Sequence, residues 1–557
     1  MRTWILPLLC GGLLSGCAIE PKPADLVLTG GVVWTGVPGA EPASALAVRE
    51  GRVLHAGTET EVRRFVGPRT REIDLAGRMV VPGFVDNHAH FMSGGFQLAS
   101  VDLRSAATPR EFARRIGDFA RNLPEGRWIT GGDWDHELWG GELPRREWID
   151  SLTTEHPVFV SRLDGHMALV NSVALEMAGI TADTPDPEGG TIVRDPETGE
   201  PAGVLKDNAM SLVSRMIPEP SEAELDEAFE RAQAHALSLG VTLVNDMGAW
   251  SHLETYRRAR RRGDLKVRIY SFVPLGTWER LRDYVAREGR GDAQLKWGAL
   301  KGFVDGSLGS TTAWFYEPYD DAPETAGLLT TDTAALREWV KGADAAGLHV
   351  TVHAIGDQAN DWLLGVFADA EATNGRRDRR FRIEHAQHLT PEAIRRMAEQ
   401  RVIPSMQPYH AIDDGRWAEK RIGAERIRTT YAFRSLLDAD AHLTFGSDWT
   451  VAPLDPLLGI YAAVTRRTID DANPDGWVPE QKVSVEEALR AYTAANAYAS
   501  FMEMQLGTLE NDRRADFVVL SENLLEIDPT RIPEVEVDMT LIDGVVVYQR
   551  GERVAGQ

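Results

Sequence analysis

Pro82-Gly83-Phe84-Val85-Asp86-Asn87-His88-Ala89-His90 opens as an apolar run behind a Pro-Gly turn and closes on two histidines spaced two residues apart. The run reads as a short buried strand, and on an extended chain the spacing points both imidazoles to one side. Downstream, apolar stretches of strand length alternate with helical patterns, the mark of parallel βα units. With 83–86 as the first, strands are expected at 241–245, 267–273, 299–304, 349–352, 381–384, 402–406 and 443–446, eight in all. Eight parallel strands with helices between them predict an α/β fold of the TIM-like (β/α)8 barrel type, which carries its chemistry at the C-terminal strand ends.

Short β runs with turns occupy 25–81 and return at 516–520 and 540–548, so a small β-sandwich domain built from both termini is expected. The stretch between the first and second strands is far longer than one crossover needs. It is predicted to hold a large insertion, at about 105–225, rich in Trp and Gly and lying over the barrel mouth. A lid or substrate-binding piece and a plain stabilising subdomain explain it about equally well. The expected division is a signal peptide at 1–16, the first part of the small domain at 17–82, the barrel with its insertion at 83–505, and the rest of the small domain at 506–557.

His88 and His90 alone are weak evidence for a metal, because surface or packed histidines give the same pattern. However, His353 ends the fifth expected strand, His385 the sixth and Asp448 the eighth. Independent core histidines have no reason to gather at successive strand ends, so the five residues together read as ligands of a divalent metal. Lys301 ends the fourth strand, and an ammonium group repels a cation. It reads equally as an ion-pair partner of Asp305 or Glu384, as an anchor for a substrate carboxylate, or, after reaction with carbon dioxide, as an anionic carbamate that bridges two metals.

The stretch from Pro82 to His90 resembles the first-strand motif of the amidohydrolase superfamily. Leu506-Gly507-Thr508-Leu509-Glu510 and Ala515-Asp516-Phe517-Val518-Val519-Leu520 are similar to its return into the small β domain. Further segments resemble amidohydrolase family 3, the branch that includes N-substituted formamide deformylase: Gly131 to Trp134, Arg162-Leu163-Asp164-Gly165-His166, Gly203-Val204-Leu205 and Asp305 to Ala313. The resemblance implies His88 and His90 on one metal, Lys301 as a carboxylated bridge, His353 and His385 on a second metal, and Asp448 as ligand and proton shuttle. Asp207 stands where the branch often has Glu, and His166 lies in a branch motif. With His410 and Trp449, which follow the seventh and eighth strands, these are secondary candidates for substrate binding; a structural histidine holding the insertion explains His166 equally well, and a satisfied loop histidine explains His410 better. Trp314, Tyr316 and Tyr319 read as further aromatic pocket residues or, at least as well, as core packing or insertion contacts.

The expected cofactor is one or two divalent ions, zinc by preference, and the expected reaction is hydrolysis of a carbon–nitrogen bond in a small amide. Deamination or cyclic-amide opening is the enzymatic alternative, and a non-catalytic binding or regulatory lipoprotein is the alternative of another class. A net charge of −24 argues against nucleic acid as a partner, since phosphate binding needs concentrated Lys and Arg. The basic runs 257–262 and 376–382 read as solvated surface. The two cysteines are Cys10 and Cys17, both in a leader of Arg2 followed by an apolar stretch. Leu14-Ser15-Gly16-Cys17 resembles the lipobox of bacterial lipoproteins, which implies acylation of Cys17. Ala18 in the next position implies an outer-membrane lipoprotein facing the periplasm. Membrane association by that anchor alone, and a homo-oligomer, are compatible with the composition.

Overall fold

The computed structural model describes residues 22–163, 167–187, 190–309 and 311–551. Eight parallel strands form its central sheet: β1 (Phe84–Ala89), β2 (Val241–Met247), β3 (Arg268–Pro274), β4 (Leu295–Phe303), β5 (His349–Ala354), β6 (Arg382–His385), β7 (Ile403–Met406) and β8 (Thr444–Phe445). β1, β2 and β5 are buried along their whole length. That is the environment of a parallel strand covered on both faces, and it explains runs such as Val-Thr-Leu-Val in β2. Consecutive strands are neighbours in order, with helices between them. Past the end of β8 the ring closes onto β1 through a parallel bridge between Ala89 and Trp449. There the Asp448 N–H donates to His88 O (2.7 Å) and the His90 N–H to Trp449 O (2.6 Å). The fold is the expected TIM-like barrel. β4 is longer than its apolar run suggested, starting at Leu295 because Leu295 and Lys296 extend the pairing with β3.

Two sheets make the small sandwich. One has the order Arg52–Gly57, Ala45–Arg49, Leu26–Thr29, Arg71–Asp74; the other runs Val32–Val33, Met79–Pro82, Phe517–Leu520, Val537–Ile542, Val545–Gln549. Leu26, Leu28 and Leu46 from the first face Phe517, Val519 and Leu541 from the second in one apolar core. Met79–Pro82 pairs antiparallel with Phe517–Leu520, which joins the two ends of the chain just before β1 begins.

The segment between β1 and β2 contains a six-stranded sheet of its own, ordered Gly190–Arg194, Pro201–Asp207, Met167–Val170, Phe159–Arg162, Gly131–Trp134, Val101–Asp102. Helix Pro109–Ala120 packs Phe112 and Ile116 against Trp134, Val160 and Leu169 to give it a core. This sheet starts at Val101, earlier than the expected 105, and the helix Glu222–Ser238 at its other boundary belongs to the barrel. Phe229 and Ala232 of that helix share a core with Phe91 and with Val244 of β2.

The basic runs are not simply solvated surface. Arg258 and Arg262 pair with Asp226 on the neighbouring helix, and Arg377 and Arg379 pair with the buried Asp344. Arg382 is fully buried inside the barrel, because β6 begins there and alternation turns it inward. Among the described residues no helix is long and apolar enough to cross a membrane. The signal peptide and Cys17 lie outside the described residues, as does His166.

Candidate metal centre

The strand ends bring His90, Lys301, His353, His385 and Asp448 into one cleft of about 420 Å³, with His88 fully buried behind its lining. His88 Nε2 and His90 Nε2 lie 3.4 and 3.3 Å from Asp448 Oδ1. Lys301 Nζ is 3.2 Å from His88 Nε2. The His385 ring is 5.0 Å from that of His88 and 4.5 Å from that of His353, centre to centre. Donor atoms of His88, His90 and Asp448 all lie within 4.8 Å of one another, and so do those of His385, His410 and Asp448, leaving Asp448 common to both groups. His385 (φ +74°) and Asp448 (φ +58°) hold left-handed backbone, which costs a non-glycine residue on the order of 1 kcal/mol or more and is retained where the surrounding structure enforces it.

Each central imidazole is fixed from behind. His88 Nδ1 sits 2.6 Å from Glu384 Oε2, so its Nε2 is turned towards Lys301 and Asp448. His385 Nδ1 is 2.7 Å from Gln407 Oε1, which likewise turns its Nε2 inward. His353 makes the opposite choice, with Nε2 2.9 Å from Gly306 O and Nδ1 left for the cleft. Such outer partners set the tautomer of a metal-binding histidine. Glu384 is itself held by Arg382 Nε (2.9 Å) and by the Thr351 hydroxyl. Arg382 also reaches Asn87 O (2.5 Å), and Asn87 donates to Thr444 Oγ1 (2.8 Å), so a polar network fills the barrel beneath the site.

The electrostatics favour cation binding. Burial alone would raise Glu384 and Asp448, but Arg382 and His88 pull Glu384, and His88, His90 and His385 pull Asp448, well below the usual carboxylate range. Burial, aided by the Lys301 charge, lowers His88 to about 4 and His353 to about 3, so both imidazoles are neutral and can act as ligands. Burial brings the Lys301 ammonium down to about 8. Asp448 Oδ1 and His410 Nε2 are buried without a hydrogen-bond partner. Neutral imidazoles, an ionised carboxylate and an unsatisfied buried oxygen suit one or two divalent ions.

The secondary candidates divide. His410, on the helix Pro408–Asp414, faces the cleft. The Trp449 indole is buried between Phe91 (6.1 Å) and His235 (5.2 Å), against Gly94 of the helix Phe91–Gln97, and does not line the cleft. Asp207 ends a strand of the inserted sheet, where its backbone pairs with Gly190. Of the three aromatics expected in the pocket, Tyr319 is buried, Tyr316 is exposed, and none lines the cleft. The apolar walls come instead from Phe303, Leu308, Ile355, Trp417 and Val451, and the insertion adds Leu163 and Arg104. Phe303 stands directly after Lys301 and Gly302 on β4, so strand alternation would have found it. Trp417 and Arg104 reach the cleft only through tertiary folding.

An amidohydrolase family model matches residues 71–548. The chain belongs to the amidohydrolase family. Among curated relatives, Protein LONG AFTER FAR-RED 3 of Arabidopsis thaliana is 42% identical over 90% of this chain and 88% of its own length. The N-substituted formamide deformylase of Arthrobacter pascens is 29% identical over 91% of this chain and 95% of its own. A solved structure of an uncharacterized metal-dependent hydrolase from Pyrococcus furiosus shares 31% identity and a TM-score of 0.75, covering 90% of this chain and all of that one (100%). The amidohydrolase match spans the barrel, the inserted sheet and the part of the sandwich that follows residue 70.

Proposed function

We propose that this amidohydrolase is a metal-dependent hydrolase that cleaves a carbon–nitrogen bond in a non-peptide amide. The observation that carries the reading is the ionised, buried Asp448, whose Oδ1 lies 3.4 Å from His88 Nε2 and 3.3 Å from His90 Nε2 at the mouth of the barrel. The relatives named as a deformylase of N-substituted formamides and as a metal-dependent hydrolase support it. Divalent ions held by His88, His90, His353, His385 and Asp448, zinc in our reading, would acidify a water and polarise the carbonyl. Asp448 takes the proton of the attacking water and returns it to the leaving nitrogen as the carbon–nitrogen bond breaks. Water and amide thus become carboxylic acid and amine. Glu384 and Gln407 hold His88 and His385 in the tautomers this requires.

Lys301 belongs to the same reading. Its neutral amine would attack carbon dioxide, forming an N–C bond and releasing one proton, and the resulting carbamate, with one negative charge shared by two oxygens, would help to hold the divalent ions. Its lowered pKa keeps a share of the amine neutral near pH 7. The apolar wall of Phe303, Leu308, Trp417 and Val451 suits an amide with a bulky apolar substituent. We further propose that the chain is exported, acylated at Cys17 and held at the outer membrane facing the periplasm; Cys17→Ser is expected to move it from the membrane to the soluble fraction.

A panel of amides tests the function: N-benzylformamide, N-methylformamide, N-acetyl-benzylamine, a cyclic imide and an aminopyrimidine, each followed for amine, acid and ammonia release. Amine and acid in equal amounts, with N-benzylformamide turned over faster than N-methylformamide, is the expected result. Ammonia from the aminopyrimidine alone points to the deaminase reading. No turnover of any member by the ion-loaded protein points to a binding lipoprotein.

A further inference from the structure

His410 is the cleft residue that the proposed reaction leaves without a task. It rides the first turn of the helix Pro408–Asp414, directly after β7. Its ring lies nearly parallel to that of His385, 10° between planes and 6.3 Å between centres. Its Nε2 is buried and has no hydrogen-bond partner. An unmet buried polar group is costly, so a fold keeps one where a ligand is to supply the partner. The nearest anionic atom is Asp448 Oδ2 at 4.0 Å, too far for a hydrogen bond and too close to leave room for another side chain. Arg104 and Asp413 also act on the ring electrostatically, but neither is bonded to it.

That spacing matches two adjacent reacting atoms. With a water on Asp448 Oδ2 and an amide carbon about 3 Å from that water, as attack requires, the carbonyl oxygen comes within hydrogen-bond reach of a donor standing beside Asp448. His410 Nε2, 4.0 Å from Oδ2, is such a donor. We propose that His410 is a catalytic residue whose Nε2–H donates to the carbonyl oxygen and follows it into the oxyanion as the tetrahedral carbon forms. No proton is transferred in this role. Asp448 alone carries the proton from water to nitrogen, and His410 stabilises charge that develops on oxygen. The inference rests on the amide reading above for its substrate.

The test uses the ion-loaded full chain and the variants His410→Ala, His410→Asn and His410→Gln. Three quantities are read: kcat and KM on the best amide of the panel, ions bound per chain, and affinity for methylphosphonate, a tetrahedral oxyanion. The expected result for His410→Ala is a kcat lower by roughly 100- to 1,000-fold, the usual loss for one oxyanion donor. KM should stay within about threefold, ion content should be unchanged, and methylphosphonate should bind at least about tenfold more weakly. Asn or Gln, which keep an N–H donor, should recover part of both losses. Loss of an ion from His410→Ala would make His410 a metal ligand and overturn the proposal, as would a kcat within about threefold of wild type. If the wild-type protein hydrolyses no amide, the functional reading fails separately. Methylphosphonate affinity then decides alone, a loss in His410→Ala supporting the donor and an unchanged value overturning it.

Discussion

Glu384 shows how much of this site lies one layer behind the ligands. Its Oε2 fixes His88, while Oε1 is spent on Arg382 and Thr351, so the carboxylate is locked before any ion arrives. Glu384→Gln keeps the shape and removes the charge that favours His88 as a ligand. Ion affinity, measured by competition with a chelator, is expected to fall about 10- to 100-fold, as is usual when such a partner is lost. An unchanged affinity would make Glu384 a packing residue only. Lys301→Ala is expected to lose bound ion and activity, with partial rescue by added formate or acetate, which replace the two carbamate oxygens. Wild-type ion content in that variant would end the carbamate idea. The histidines and Asp448 were legible as strand-end donors because strand ends follow from local pattern. The supports were not: Glu384 precedes His385 in sequence yet serves His88, 296 positions away, and only barrel closure makes that pairing.

Among the elements, the helix Glu222–Ser238 is the one that seats the first barrel turn. Ser221 accepts from Glu224 N–H and Glu224 accepts in return from Ser221 N–H (2.9 Å), a reciprocal cap at the point where the chain leaves the insertion. Ser221→Ala is expected to cost about 1 kcal/mol, read as faster amide exchange in the first turn of this helix with the far end unaffected. Equal exchange in wild type and variant would mean that packing against Phe91 alone holds the turn. The barrel strands were readable in advance, since parallel strands covered on both faces are continuous apolar runs. The inserted sheet was not, because its strands are short, several carry polar or glycine positions, and their pairing crosses between Val101 and Asp207 in an order that local pattern does not encode. The arginine run 376–382 was misread for the same reason: its last member enters β6 and turns inward.

At the scale of the whole molecule, the sandwich and barrel are joined by a buried charge. Arg268 on β3 forks onto Asp516 (2.6 and 2.9 Å) and reaches Asp543 (2.9 Å), with Arg268 and Asp516 only 1% and 3% exposed. Arg268→Met leaves Asp516 buried and unpaired, which is expected to destabilise the chain by about 3–5 kcal/mol in urea unfolding, with exchange rising first in the sandwich. A loss under about 1 kcal/mol would mean that the apolar contacts suffice. The insertion lends Arg104 and Leu163 to the cleft, so the sandwich, barrel and inserted sheet all bear on where an amide is held. The most direct measurement of that arrangement takes one preparation through metal analysis and N-benzylformamide hydrolysis, before and after removal of ions with dipicolinate and again after zinc is restored. We expect one to two divalent ions per chain, activity lost with them and regained with zinc, and neither ion nor activity in His88→Ala. Hydrolysis that persists in the ion-free protein, or full ion content in His88→Ala, would contradict the account.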